Sequence, residues 1–193
     1  MYRAKKNIIE SKIREYMIVN DITNLDKSFL YYVYSIYNGL EYDDINPVDI
    51  VDGSQDKQID AIYTDVDENN EKALIRIFQM KKTGGFSSDI VIKMKNGLEW
   101  IFERPLEELE QNKNVNFVSK AKEISEIMGK IPVGDIDLEI YFITLGNIND
   151  IQEDDEYYQE LKLLKSRYST LEFNNFDFFT IIATKIYNQI NLI

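Results

Sequence analysis

The sequence contains no cysteine and no histidine. Without cysteine there is no disulfide framework, no thiolate zinc site and no thiol nucleophile. Without histidine there is no Ser-His-Asp triad, no HExxH zinc centre and no imidazole general base. Chemistry is left to carboxylates, amides, lysines, tyrosines and serines, with an oxygen-ligated metal as their natural helper. Only three prolines occur, and with many tyrosines, asparagines and isoleucines this argues against disorder. No stretch approaches the roughly 20 apolar residues of a membrane span. Charges every few residues in MYRAKKNIIESKIREYM leave no apolar run for a signal peptide. These absences predict a soluble, intracellular protein, cytoplasmic and without a membrane partner.

What is present is acidic. The 193 residues carry 34 acidic against 22 basic side chains, a net charge of −12. A bulk acidic chain is a poor non-specific binder of polyanions. The charge is uneven, however: residues 81–130 are nearly balanced, while residues 28–80 and 131–193 are strongly acidic. The length suits one domain over residues 1–193, large enough to bury roughly 70% of its unfolded surface. Within it the reading is a helical amino-terminal extension at 1–25 and a core at 26–193. The chain stops inside apolar NQINLI, so either a last helix docks on the core or this is the amino-terminal part of a longer protein.

Hydrophobic spacing predicts helices at 5–19 (Ile9, Ile13, Met17) and at 26–38 (Phe29, Tyr32, Val33, Ile36, Tyr37). Asp26 is placed to cap the second, and Gly39 to stop it. A polar loop with Pro47 and Gly53 follows. QIDAIYTD (58–65) and ALIRIFQMK (73–81) read as an antiparallel hairpin around a long turn, DVDENNEK. Helices at about 88–103 and 115–128, a strand at 137–145, a helix at 155–167, a strand at 169–176 and a last helix to about 190 complete the chain. The order predicts an α/β protein with a mixed sheet of about four strands flanked by helices.

Residues 52–83 carry the densest chemistry. Asp60 opens the first hairpin strand, and Gln79 and Lys81 share a face near the end of the second. Equal hairpin arms bring a carboxylate, an amide oxygen and an ammonium into one small area. Such a set suits metal-assisted phosphodiester hydrolysis: a hard cation takes oxygen ligands and acidifies water, and a lysine stabilises the charge on phosphorus. If Asp52, Asp56 and Asp60 converge, they repel one another until a cation arrives.

An Asp followed by Gln-x-Lys on the next strand resembles the PD-(D/E)xK nuclease core in its Mrr-like form. Gly53-x-x-Asp56-x-x-Ile59-Asp60 with Phe78-Gln79-x-Lys81, and GGFSSDIVIKMKNGLEWI after them, is similar to the amino-terminal domain of abortive-infection phage-resistance proteins. The likeness covers roughly residues 26–185, with specific motifs only at 52–101. It implies a restriction-endonuclease-like sheet and a nuclease acting on nucleic acid, DNA above all, in antiphage defence. It makes Asp60 and Gln79 metal ligands with the Met80 main-chain carbonyl as a third, Lys81 the catalytic lysine, and Mg²⁺ or Mn²⁺ the cofactor. Asp56 and Glu41 are supporting candidates, and a homodimer is an open assembly state. Ile59 replaces the motif's proline, and Gln79 removes one negative charge from the site. The alternative is a catalytically inactive domain that binds nucleic acid or a protein.

Lys82, Lys93 and Lys95, with Arg104 and Lys113, are candidates for phosphate contact; the competing reading is the wet face of two helices. The aromatic residues at 29–37 fit a core stripe better than a base-stacking platform. Glu153–Glu156 reads as a solvated helix start. Asp65, Asp67 and Asn69 lack the glycine and glutamate of a calcium loop and read as a turn. TGGF (83–86) lacks the GK[ST] ending of a phosphate-binding loop.

Overall fold

The computed structural model describes residues 2–82, 88–147 and 156–191. Among these, the order is α1 (Tyr2–Val19), α2 (Leu25–Asn38), β1 (Ala61–Asp67), β2 (Lys72–Lys81), α3 (Ser88–Phe102), α4 (Leu106–Leu109), α5 (Val115–Lys130), β3 (Ile136–Thr144), α6 (Glu156–Tyr168), β4 (Asn175–Ile181) and α7 (Ala183–Ile190). One mixed sheet runs β1-β2-β3-β4, with β1–β2 antiparallel and the other two pairs parallel. The protein is therefore α/β, a four-stranded mixed sheet flanked by helices, consistent with a restriction-endonuclease-like arrangement. No helix of the described residues is long and apolar enough to cross a membrane.

Strand alternation divides the interior into two cores. Ile75 and Ile77 of β2, with Leu138, Ile140 and Phe142 of β3, pack against α3, α5 and α6. Phe78 and Met80, with Tyr141 and Ile143, pack against α1, α2 and α7. Both faces of β2 and β3 are covered, which is why LIRIFQM and LEIYFIT read as near-continuous apolar runs. Rings from three strands line up on the second face: Phe78 stacks on Tyr141 (5.0 Å between centroids) and Tyr141 on Phe179 (4.8 Å). The segment read as an extension is integrated into this core, since Ile9 and Ile13 of α1 are buried there.

Several sequence expectations need correction. Asn24, not Asp26, caps α2: its side-chain oxygen accepts the N–H groups of Asp26 and Lys27 (2.8 and 3.0 Å). Gly39 ends the helix as expected, at φ +65° with its N–H on the Ser35 carbonyl. The hairpin turn is shorter than DVDENNEK, because β1 continues to Asp67, whose carboxylate folds the turn by accepting the Asn69 and Asn70 N–H groups. The strand expected at 169–176 lies at Asn175–Ile181. Ser169–Leu171 is instead a 3-10 turn, where Ser169 and Thr170 hydroxyls donate to the Ser166 and Arg167 carbonyls and extend α6. α4 was not foreseen. TGGF lies outside the described residues, as do Glu153–Asp155; Glu156 opens α6.

A buried polar network ties the layers together. Lys120 of α5 is 2% exposed, and its Nζ meets Asp49 (3.0 Å), Glu123 (2.8 Å) and the Thr64 hydroxyl (2.6 Å). Asp49 also accepts the Tyr34 hydroxyl of α2 (2.7 Å). Burial and the Asp49 carboxylate push the Tyr34 hydroxyl far above its ordinary pKa.

Candidate metal centre

The site is built where the chain enters the hairpin. The Asp60 N–H donates to the Phe78 carbonyl (2.8 Å), and its carbonyl accepts the Val51 and Asp52 N–H groups (both 3.0 Å). This pins the two ends of a tight loop against each other and sets Asp52 beside Asp60. Inside the loop, Asp56 accepts the Gln58 N–H (2.7 Å) and the Gly53 N–H (3.1 Å). The carboxylate oxygens of Asp52, Asp56 and Asp60 thereby lie within 4.8 Å of one another. Three non-glycine residues of this loop, Gln55, Lys57 and Gln58, hold left-handed φ values of +63°, +59° and +65°. Such positions cost on the order of 1–3 kcal/mol each and persist only where their surroundings over-determine them.

A cleft of about 370 Å³ opens on this cluster, lined by Asp26, Phe29, Leu30, Asp52, Asp60, Met80, Lys81 and Lys82. Burial pushes the Asp60 carboxyl up to about 8; the Met80 N–H bonded to it opposes this, Asp52 and Asp56 add to it, and Lys81 opposes it. Asp52 is also raised, by burial and then by Asp56, with Lys27 opposing and Asp26 adding. The environment thus disfavours the negative charge that its own residue types supply. A hard divalent cation resolves that conflict, and three clustered carboxylates are a donor set it accepts. The residues present fit a Mg²⁺- or Mn²⁺-type ion.

The predicted residues fall into two groups. Asp60, Asp56 and Lys81 are brought together. Met80 adjoins them: its N–H donates to Asp60 Oδ2. The N–H and C=O of an extended residue leave the strand on the same flank, so its carbonyl faces the Asp60 side. The Lys81 carbonyl faces β3, where it accepts the Leu145 N–H (3.3 Å). Gln79 does not line the cleft. It is 3% exposed, and its Oε1 has no hydrogen-bond partner among the described residues. Glu41 lines a separate cavity with Tyr16 and Tyr32, so it is not the acid that completes the cluster; Asp26 of α2 is the acid nearer to it, lining the same cleft as Asp60. Lys82 lines the cleft and pairs with Asp26 (2.8 Å). Lys93 pairs with Asp89 on its own helix (2.6 Å), and neither it nor Lys95 lines the cleft.

Sequence reasoning missed the groups that hold the loop. Asn112 donates to the Gln55 carbonyl (3.0 Å), the Lys113 N–H to the Gln55 side chain (3.0 Å), Asn114 to the Val51 carbonyl (2.7 Å) and Asn116 to the Ile50 carbonyl (2.9 Å). The alternating asparagines of QNKNVNF were the available signal. Gly97 was another, since a glycine in mid-helix costs helix propensity and so points to a packing reason. No family model matches this chain, and no curated protein or solved structure matches it either.

Proposed function

We propose that this protein is a metal-dependent nuclease that hydrolyses phosphodiester bonds of nucleic acid, DNA in the first instance, and works in cytoplasmic antiphage defence. The supporting observation is the convergence of Asp52, Asp56 and Asp60 beside Lys81 at the end of β2. The three carboxylates would hold Mg²⁺ or Mn²⁺, which when bound acidifies water and neutralises charge on the scissile phosphate. Lys81 places an ammonium at the cleft, where it orients the attacking water or stabilises charge gathering on the phosphate oxygens. Lys82 is held by Asp26, so it is released for a phosphate only when that ion pair opens. The defence role and the DNA preference rest on the motif resemblance alone.

The burial of Gln79 off the cleft favours a second reading, a domain that binds nucleic acid or a protein without cutting. Titrating Mg²⁺ and Mn²⁺ against plasmid and single-stranded substrates, with Lys81→Ala beside wild type, separates the two. The nuclease reading expects metal-dependent nicking that Lys81→Ala removes while the far-ultraviolet spectrum stays unchanged. Binding without nicking at any metal concentration leaves the second reading.

A further inference from the structure

The carboxylate loop's own hydrogen bonds, from Gly53, Gln58 and Ile59 to Asp56, do not hold its shape alone. Its left-handed residues, Gln55, Lys57 and Gln58, flank Asp56 on both sides, and none of them is a glycine that would adopt this conformation freely. Further restraint on them comes from outside the loop. On one side, α3 approaches so closely that a Cβ on Gly97 would lie 2.7 Å from the Lys57 carbonyl oxygen and 2.9 Å from Ile59 Cγ1. The first of these neighbours is backbone and cannot swing away. One turn further along, the Trp100 ring receives the Lys57 ammonium at 4.1 Å. On the other side, Asn112, itself 8% exposed, holds the Gln55 carbonyl, and Asn114 holds Val51.

We infer that Gly97 and Asn112 are positioning residues for the cation site: they clamp the strained loop so that Asp56 is preformed beside Asp52 and Asp60. The inference rests on the cation reading above. A clamped loop binds without paying to order itself, so loosening the clamp weakens cation binding even though neither residue offers a ligand. Alanine is the better helix former, so Gly97→Ala acts through the contact with Lys57 and not by weakening α3. Gly129 of α5 is the matched control, because a Cβ there meets nothing within 4 Å.

The test is Mn²⁺ titration calorimetry on wild type, Gly97→Ala, Asn112→Ala and Gly129→Ala, with amide hydrogen exchange at Gln58 and Ile59. These two amides donate to the Asp56 side chain and to its carbonyl, so they report the loop with no metal present. Overpacking against backbone predicts an affinity loss of at least about tenfold for Gly97→Ala. It also predicts faster exchange at both amides, the same trend in Asn112→Ala, and wild-type behaviour in Gly129→Ala. Equal Mn²⁺ affinity in wild type, Gly97→Ala and Asn112→Ala overturns the clamp while sparing the cation site. Affinity loss without faster exchange at Gln58 and Ile59 overturns it as well. Absence of Mn²⁺ binding by folded wild type overturns the cation reading itself.

Discussion

At the scale of single residues, Asp60 links acidity to stability. Its folded carboxyl titrates at about 8 against 3.8 for an ordinary aspartate. Between those values the folded state holds the proton that the unfolded chain has released. The group's contribution is therefore complete below about 3.8 and is lost as pH rises through about 8. In chelator-treated buffer the midpoint of thermal unfolding should fall from pH 5 to pH 9. Asp60→Asn should flatten that fall, since the amide oxygen still accepts the Met80 N–H, and should melt several degrees above wild type at pH 9. Lys120 poses the opposite case. Its ammonium is the only counter-charge within reach of buried Asp49 among the ion pairs described. Lys120→Met leaves that carboxylate unpaired and should cost about 3–5 kcal/mol, read as a lower urea midpoint at unchanged slope.

At the scale of elements, the two ends of α2 show what a sequence discloses. Gly39 was legible because a left-handed helix stop favours one residue type. The start was misassigned by two residues because both Asn24 and Asp26 are acceptable caps, and only the backbone angles at Asn24, extended at φ −114° and ψ 126°, decide between them. Asn24→Ala should cost about 1 kcal/mol, while Asp26→Ala, with its side chain 75% exposed, should change stability by less than about 1 kcal/mol. Differential thermal melts of the two variants check this. The helices and the two central strands were readable from their apolar spacing, since that spacing is what packs them. The edge strand β4 was not. Its serine and threonine neighbours close a 3-10 turn by bonding backwards, a choice set by the end of α6 rather than by strand propensity. Asp60, Asp56 and Lys81 were findable because a hairpin fixes which residues face each other. The asparagine and glycine clamps were not found, because their partners are more than 35 residues away in the chain.

At the scale of the molecule, the sheet is one wall shared by two cores. Trp100, the sole tryptophan, packs against one core, and Tyr16, Tyr31, Tyr32, Tyr37 and Tyr42 cluster on or beside the other. Neither core can lose β2 or β3 without exposing the other. Urea transitions followed by Trp100 fluorescence and by far-ultraviolet circular dichroism should coincide within error, as one cooperative unit requires. Far-ultraviolet loss that precedes the Trp100 change would show that α1, α2 and α7 come away from the sheet first.

The strand order has a consequence for the chain's birth. Because each strand's sheet neighbour is also its neighbour in sequence, a ribosome delivers them in the order in which they pair. The β1–β2 hairpin closes locally, and then β2 waits with an open edge while α3, α4 and α5 are made, an interval of some seconds at about 5–20 residues per second. During that wait its row of unpaired amides is a template for any other extended chain. The charges of Lys72, Arg76, Lys81 and Lys82 along that strand and just past it make a second, equally charged copy an unwelcome guest until β3 arrives.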